Sequence, residues 1–348
     1  MKRMKTLSSI VLIAAFFALS CGTKPQIDFI EKNADNSIDV MIDGKLFTSF
    51  CWPDNVFKPI LYPVLTSAGT EITRGFPINP RIGERADHAH HTGIWLTYGN
   101  VNGNDFWGNG HEGLGIESDN GGVIRHIRVD ELTGGSSKGH FITYESWTDT
   151  TGEELLAERT AYHFIAEGST RIIDRITTLT AGGLEVSLPD TKEGMFGIRV
   201  ARQLELPSED DITLYGEDDQ PTLVEALSNE GISGNYRSSE GDTGSDVWGT
   251  RAKWMDLYGN IGDEKISLVI CDHPKNPSYP TYWHARGYGL FSANPFGWDD
   301  FTNGKEQLNH TIPAGQSVTF RYRVIISSGI HLDDTEINIY ADNFARKY

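Results

Sequence analysis

The chain has 348 residues, of which 48 are Asp or Glu and 30 are Lys or Arg, so its formal net charge at pH 7 is −18. A surface with this charge repels nucleic acids and anionic lipids, and we expect neither as a direct partner. Neutral sugars and cationic partners remain compatible. No Pro-rich or Ser-rich linker divides the sequence, and we predict a single large domain over residues 21–348.

The N-terminus has the order of features that is typical of a bacterial export signal. Three cationic residues among the first five precede an apolar run from Leu7 to Leu19, which is shorter than the ~20 apolar residues of a spanning helix. Ser20 and Cys21 resemble the end of the lipobox of bacterial lipoproteins, in which the cysteine is lipidated. We predict a signal peptide over residues 1–20 and a lipid anchor on Cys21 in the cell envelope, facing the periplasm or the outside. Plain secretion is the alternative.

Alternating apolar residues predict strands along most of the chain. A hairpin is expected over residues 38–52, with its turn at Asp43 and Gly44. A meander of four strands is expected over residues 123–181, where short turns separate the segments VIRHIRVDEL, HFITYESWTD, ELLAERTAYHFIAE and TRIIDRITTLTA. The segment QSVTFRYRVIISS predicts a half-buried antiparallel strand.

Beyond these strands, Asp333 and Glu336 are spaced to cap a C-terminal helix. The sequence therefore predicts an all-β fold, a large antiparallel two-sheet sandwich with a short C-terminal helix. It contains no glycine-rich phosphate loop and no G-x-S-x-G nucleophile motif, which argues against nucleotide binding and acyl transfer. Cys51 and Cys271 are expected to be buried thiols, with a disulfide between them as the alternative.

The segment RADHAHHTGIWLTYGNVNGNDFW, residues 85–107, concentrates groups that carry chemistry. If it is extended, His88 and His90 share one face of a strand and His91 points to the other. We expect acid–base work from these histidines, because their ordinary pKa of ~6.5 lies near neutrality. The alternatives are a hydrogen bond to a buried loop backbone, or a metal site on His88 and His90. A metal would need a remote ligand, for which the candidates are Asp87, Glu193, His273 and His284.

Polar and aromatic residues flank this segment on both sides. Arg74 precedes the histidines, and Asn102, Asp105 and Trp107 follow them after a glycine-containing turn. Amide and carboxylate groups beside an indole can hydrogen-bond vicinal hydroxyls and pack against the C–H face of a sugar. The alternative is a tight turn in which Asn and Gly only tolerate positive φ.

A second cluster extends from Asp272 to Gly297 and is rich in proline and aromatic residues. If YWHAR is extended, His284 and Arg286 share a face beside Tyr282, whereas the alternative is a purely structural loop. Between the two clusters, Glu193 precedes an apolar strand that carries Arg199. A carboxylate beside a histidine makes an acid–base pair, and a solvated Glu at a strand start is the alternative.

These motifs resemble a bacterial domain family that carries the label methane oxygenase PmoA. The shared blocks are RGFP, DHAHHTGIW and NVNGNDFW, then EGMFGIRVA, then DHPKNPSYPTYWHARGYGLFSANPFG, and the resemblance spans residues 25–330. A methane oxygenase subunit needs many apolar membrane spans, whereas this chain has one short apolar run, so the label does not suit it. The family implies no activity that transfers to this chain.

The sequence also has a looser similarity to galactose mutarotase-like supersandwich proteins, which use a His as acid and a Glu as base on a sugar ring. This resemblance implies the acid role for His88, His90 or His284 and the base role for Glu193. Fold-level analogy alone supports that assignment.

Together these features predict an exported carbohydrate-active enzyme that performs His/Glu acid–base chemistry on a sugar or glycoside, as a lyase, hydrolase or epimerase. Arg74, Arg199 and Arg286 would hold an acidic sugar or stabilise an enolate-like charge. One alternative is a glycan-binding surface lipoprotein without turnover, which predicts exposed coplanar aromatics and scattered histidines. The other is a metal-dependent hydrolase with a divalent ion on His88, His90 and His284; no other cofactor is expected.

Overall fold

The computed structural model describes residues 24–112, 119–218, 220–225 and 228–348. The predicted signal peptide and the predicted lipid anchor at Cys21 lie outside these residues, and the single-domain prediction for residues 21–348 stays a prediction. The strands, in chain order, are β1 (Gln26–Lys32), β2 (Ser37–Ile42), β3 (Lys45–Cys51), β4 (Ile60–Val64), β5 (Ile94–Tyr98), β6 (Val123–Thr133), β7 (Gly135–Ser136), β8 (Lys138–Thr148), β9 (Glu154–Glu167), β10 (Thr170–Ala181), β11 (Val186–Leu188), β12 (Gly194–Arg199), β13 (Ile212–Tyr215), β14 (Pro221–Val224), β15 (Asn235–Ser238), β16 (Trp254–Ile261), β17 (Glu264–Asp272), β18 (Tyr282–Arg286), β19 (Leu290–Asn294), β20 (His310–Ile312) and β21 (Ser317–Ser328).

The helices are short and few in this part of the chain. Two α-helices, α1 (Trp298–Thr302) and α2 (Asp334–Lys347), accompany single 3-10 turns at Asn33–Asp35, Arg202–Leu204 and Gly244–Val247. No helix among the described residues is long and apolar enough to cross a membrane.

Two large antiparallel sheets form the body of the fold. One has nine strands in the order β18-β19-β12-β5-β4-β3-β2-β1-β7, and the other has eight in the order β15-β16-β17-β21-β10-β9-β8-β6. Aromatic side chains fill the space between the sheets: Phe50 of β3 lies 5.8 Å from Phe141 of β8, and Phe196 of β12 stacks on Tyr322 of β21 at 4.8 Å between ring centroids. The predicted all-β, two-sheet sandwich is confirmed.

The predicted meander and hairpin are both present. Strands β6, β8, β9 and β10 pair in succession, and β2 pairs with β3 through a turn at Asp43 and Gly44, which both have positive φ. Such a two-residue turn suits the right-handed twist of the flanking strands. Cys51 and Cys271 are free, so the disulfide alternative is not realised.

Helix α2 changes the expected exposure of strand β21. Its N-terminus carries the predicted capping box, in which the backbone N–H of Asp333 and that of Glu336 each donate to the other residue's carboxylate at 2.9 Å. The apolar face of α2 packs Ile337 and Phe344 against Ile325 of β21. From residue 322 to residue 328, β21 is therefore buried on both faces rather than half-buried.

Candidate functional site

The three histidines of residues 88–91 lie in a turn directly before β5, not in an extended strand. His88 has a φ of +42°, and the backbone N–H of His91 donates to the carbonyl of His88 at 2.9 Å. The turn brings all three rings together, with centroids 5.7 Å apart for His88 and His90 and 4.2 Å apart for His90 and His91. The expected division of the histidines between two faces is wrong, because the period of two applies only to extended backbone.

A buried arginine holds this turn from behind. The guanidinium of Arg74 is 1% exposed and donates to the carbonyls of Arg85, Asp87, His88 and His91 at 2.7 to 3.1 Å. Four carbonyl oxygens that would otherwise need water therefore have a donor inside the protein. Arg74 does not line the pocket, so it positions the histidines instead of contacting substrate as the sequence led us to expect.

Arg199, the last residue of β12, is also fully buried and performs a related task. Its Nη2 donates to Oδ1 of Asp87 at 2.6 Å, and Arg74 donates to the same oxygen at 2.9 Å. Burial disfavours the ionised carboxyl, but Arg199, His88 and Arg74 outweigh this and hold the pKa of Asp87 well below its usual range. Arg199, like Arg74, lies behind the pocket wall rather than in it, contrary to expectation.

Four aromatic rings form a parallel stack from the core to the pocket. Successive centroid distances are 5.4 Å from Trp95 to His91, 5.1 Å from His91 to His88 and 5.0 Å from His88 to Tyr288, with interplanar angles of 15°, 3° and 5°. Trp95 is fully buried in β5, whereas the side chain of His88 is 41% exposed. The stack fixes the planes of two histidines without using their ring nitrogens.

The hydrogen bonds of His91 and His284 assign opposite tautomers to them. Nη1 of Arg199 lies 3.2 Å from Nδ1 of His91, and because arginine can only donate, Nδ1 is the acceptor and the proton of neutral His91 sits on Nε2. His284 of β18 has its Nδ1 2.8 Å from the carbonyl oxygen of Lys192, which can only accept, so Nδ1 carries the proton and Nε2 carries a lone pair.

Burial keeps both rings uncharged. It lowers the pKa of His284 to about 3 and, with help from His90 and Arg199, lowers the pKa of His91 well below its usual range. Nε2 of His91 is buried and has no hydrogen-bond partner within the described part of the chain. One imidazole therefore offers a proton donor and the other a proton acceptor.

The groups converge on a pocket of about 310 Å³ at the end of the sheet where β18, β19, β12 and β5 lie side by side. Its lining residues are His88, His90, His91, Asp105, Trp107, Gly108, Lys192, Glu193, His284, Arg286 and Tyr288. All five predicted catalytic residues are thus brought together, along with Asp105, Trp107 and Arg286 of the predicted binding residues.

Two carboxyl groups, those of Glu193 and Asp105, line the pocket in different surroundings. Burial raises the pKa of Glu193, although Nζ of Lys192 lies 3.3 Å from its Oε1. Asp105 has a structural task, since its Oδ1 accepts the backbone N–H of Trp107 at 2.9 Å and of Gly108 at 2.8 Å. Glu193 is therefore the carboxyl that is better suited to proton transfer.

A buried lysine lies beneath His90. Nζ of Lys58 donates to the carbonyl of His90 at 2.6 Å and stands 5.1 Å from the ring centroid of Trp95. Burial lowers the pKa of Lys58 to about 7, and burial together with Lys58 lowers the pKa of His90 to about 2. Lys58 was not predicted from the sequence, because the segment NVFKPIL offers no motif around it.

Two predicted binding residues lie away from the pocket. Asn102 accepts the backbone N–H of Ser187 at 2.7 Å in a turn where it and Gly103 have positive φ, which is the structural alternative for this segment. Tyr282 is buried, where its ring stacks on Phe301 at 5.3 Å. Conversely, Tyr288 and Lys192 line the pocket and were missed, although Tyr288 follows His284 and Arg286 by a few residues within the same sequence block.

The predicted metal ligands are not arranged as a metal site. Across the described ranges, no group of three or more His, Cys, Asp or Glu side chains is placed to hold an ion. Nδ1 of His284 is bound to a carbonyl, and His273, a candidate remote ligand, packs on Phe344 of α2 at 5.1 Å.

Comparison with known proteins yields one family and several distant folds. The sequence model of a family of unknown function, DUF6807, matches residues 37–342, and no curated protein matches the chain. These comparisons give no support to the methane oxygenase label.

Among solved structures, the chain is similar to a GH36 α-galactosidase from Geobacillus stearothermophilus, with 11% identity, a TM-score of 0.35 and coverage of 87% of this chain and 40% of that one. It is also similar to an α-galactosidase from Lactobacillus brevis, with 10% identity, a TM-score of 0.34 and coverage of 88% of this chain and 39% of that one. A galactose mutarotase related enzyme from Lactobacillus acidophilus has 10% identity and a TM-score of 0.31, with coverage of 88% of this chain and 100% of that one. The chain thus spans about two fifths of the length of the glycosidases it matches.

Proposed function

The chain belongs to the DUF6807 family of unknown function, and we propose that its pocket carries out acid–base chemistry on a sugar or glycoside. The observation that carries this proposal is the convergence of four histidines and Glu193 on one pocket, with Trp107 and Tyr288 as aromatic walls. Such walls suit the C–H faces of a sugar, and perturbed titratable groups in a concave pocket are typical of catalytic sites.

We assign the role of general base to His284. Its Nδ1–H is bound to the carbonyl of Lys192, so Nε2 is free to accept a proton from substrate. Burial lowers the pKa of His284 to about 3, so the ring is unprotonated at neutral pH but is a weaker base than the ordinary imidazole on which the sequence-based expectation rested. The mutarotase-like resemblance implied the acid role for this residue, whereas we propose the base role because Nε2 carries the lone pair.

His91 takes the part of a neutral hydrogen-bond donor to the substrate. Its Nε2–H has no partner in the described structure, and the indole N–H of Trp107 is likewise buried and unpaired. Unsatisfied buried donors are costly, so their presence together on a pocket wall favours a ligand oxygen as their acceptor. A donor fixed in this way stabilises negative charge that develops on that oxygen.

Glu193 completes the proton transfer as the acid that returns a proton to the product. Burial raises the pKa of Glu193, which favours the protonated carboxyl, as this role requires. Common glycosidases need a second carboxyl group that acts as nucleophile or base, whereas Oδ1 of Asp105 is already bound to two backbone N–H groups. This favours a lyase or epimerase over a hydrolase.

The surface favours an enzyme over a glycan-binding module. Within the described ranges no Trp, Tyr or Phe is exposed, whereas a binding module is expected to present such rings on a shallow face. The proposed location remains the cell envelope, for which the support is the N-terminal sequence ending at Cys21.

A substrate panel tests this function. Glycosides, uronides and keto-sugars are incubated with the wild type, with His284→Gln and with His140→Gln, and products are followed by NMR. We expect the wild type and His140→Gln to turn over at least one member equally, because His140 lies on β8 outside the pocket. His284→Gln keeps a polar side chain but has no basic nitrogen, and its rate should fall by about 100-fold or more. Equal rates for all three proteins, or no turnover of any member, would contradict the proposal.

A further inference from the structure

A second cavity of about 510 Å³ lies beside the catalytic pocket. Its lining residues are Arg85, Leu206, Pro207, Ser208, Asp210, Ser245, Trp248, Ala285, Arg286, Gly287 and Tyr288. Arg286 and Tyr288 line both cavities, so a ligand in one reaches the other across these two side chains. Together the two cavities lie within the ~300–1,000 Å³ that ligand sites of proteins usually occupy.

Arg286 is held at the junction but not neutralised. Its guanidinium carbon lies 5.7 Å from the ring centroid of Trp248 and 5.8 Å from that of Tyr288. No carboxylate of the described residues pairs with it, whereas the neighbouring Arg85 pairs with Glu205 at 2.7 Å. Arg251 likewise lies over two aromatic rings, those of Tyr282 and Trp298, but only Arg286 of the two lines both cavities.

Trp248 gives the second cavity a fixed aromatic wall. Its ring packs edge-on against Phe301 at 5.4 Å, and its backbone N–H donates to the carbonyl of Ser245. The indole Nε1 is buried and has no hydrogen-bond partner in the described structure. A fixed indole on the cavity wall suits the apolar C–H face of a sugar.

We propose that the second cavity is a subsite for the neighbouring sugar unit, and that Arg286 binds a carboxylate of the saccharide at the junction between the two cavities. The substrate class is then an acidic saccharide of at least two units. Arginine suits this task because its planar fork binds both oxygens of a carboxylate. The proposal rests on the proposed function for the identity of the ligand as a sugar, but it concerns a different cavity.

Binding measurements with matched ligands test this subsite. The probes are aldobiouronic acids with each glycosidic linkage, the same disaccharides after reduction of the carboxyl to an alcohol, and free glucuronic acid. Affinity is measured by calorimetry, so turnover is not required. We expect at least one acid to bind about tenfold more tightly than its reduced form, since a hydrogen bond to a charged partner outweighs one to a hydroxyl.

Two pairs of variants locate the effect. Arg286→Gln should abolish the difference between the acid and its reduced form, whereas Arg128→Gln should preserve it. Arg128 is a matched control because it too rests on an aromatic ring, at 3.6 Å from the centroid of Tyr144, and lines neither cavity. Trp248→Leu should weaken both disaccharides about fivefold but leave glucuronic acid unchanged. Trp298→Leu, which also has an arginine over its ring, should change neither.

The outcomes separate the subsite from the catalytic proposal. Carboxylate-dependent binding without turnover would leave the subsite standing and contradict the proposed enzyme. Turnover of sugars with equal affinity for acid and reduced disaccharides, or with no effect of Trp248→Leu, would overturn the subsite and leave the enzyme standing. Binding of none of the probes would overturn the subsite.

Discussion

Asp87 and Asp174 each lie at the centre of a cluster of buried charge, but only the Asp87 cluster contacts the histidines of the pocket. Asp174 is fully buried and accepts from Nε and Nη2 of Arg323 at 2.6 and 2.8 Å, from Lys347 at 3.2 Å and from the hydroxyl of Tyr348 at 3.2 Å. Both oxygens are occupied by residues of β21 and the C-terminal segment. All partners of Asp174 lie within this cluster, which we call the closed cluster and which joins the C-terminal segment to the sheet.

In the Asp87 cluster, two arginines, Arg74 and Arg199, donate to the same carboxylate oxygen. These arginines also donate to carbonyl oxygens and to a ring nitrogen of the histidine turn. His88 and His91 of that turn line the pocket. Buried, mutually paired charges therefore do not by themselves mark a functional site. A cavity lies beside each cluster, since Lys347 lines one of about 260 Å³, but of these two cavities only the pocket beside the Asp87 cluster is lined by buried donors without partners among the described residues.

The largest expected effect lies in the closed cluster. Asp174→Asn should lower the free energy of unfolding by about 3–5 kcal/mol, because Arg323 and Lys347 would lose their buried anionic partner. Turnover per folded molecule should stay unchanged, since none of these residues lines the pocket. Urea denaturation gives the stability, and rates normalised to the folded fraction give the activity. A loss of normalised activity would erase the distinction between the clusters.

Asp87→Asn should show the opposite balance. The neutral amide cannot hold both arginines, so the histidine turn shifts, and a misplacement of about 1 Å costs about 100-fold in rate. The loss of stability should be smaller, about 1–3 kcal/mol, because Arg74 keeps its four carbonyl acceptors. The same two assays check this variant. A rate within twofold of the wild type would show that the arginine clamp is not needed for catalysis.

A tyrosine from each cluster provides a third test. Tyr288→Leu removes the outer ring of the stack on His88 and should raise KM threefold to tenfold, in line with ~0.5–1.5 kcal/mol for an aromatic pair. Tyr348→Leu removes a tyrosine of the closed cluster and should leave KM unchanged. Steady-state kinetics on the best substrate of the panel gives KM for both variants. An equal rise of KM in the two variants would contradict the assignment of Tyr288 to the pocket.

A fourth test concerns the pH dependence of stability. His90 and His284 have folded pKa values of about 2 and about 3, below the ordinary 6.5, so between these values the unfolded chain binds more protons. Their contribution to stability is complete above pH 6.5 and is lost as the pH falls, by up to about 1.4 kcal/mol per group and pH unit. The double variant His90→Gln/His284→Gln should therefore lose less stability than the wild type between pH 6.5 and 5. Identical slopes in urea titrations would refute this.

The fold was predictable because its signals are local. Alternation over residues 123–181 specifies strands whatever their neighbours are, and the Asp333 and Glu336 pair specifies a helix start. The burial of β21 on both faces was not predictable, because it depends on where α2 packs.

The site was predictable in composition but not in geometry. His88, His284 and Glu193 were predicted from the sequence because histidine and carboxyl side chains suit proton transfer. The turn at His88 depends on a clamp by Arg74 and Arg199, which are distant in sequence from each other, so local pattern could not reveal it. The same clamp explains why two predicted substrate ligands became structural residues.

Long-range ¹⁵N NMR of the histidine rings measures the tautomers of His91 and His284 directly. At pH 5 we expect two neutral rings, with the proton of His91 on Nε2 and the proton of His284 on Nδ1. The signals that disappear in His91→Gln and in His284→Gln assign the two rings. Imidazolium shifts for either ring at pH 5, or the same tautomer in both, would contradict the opposite proton positions on which the proposed roles depend.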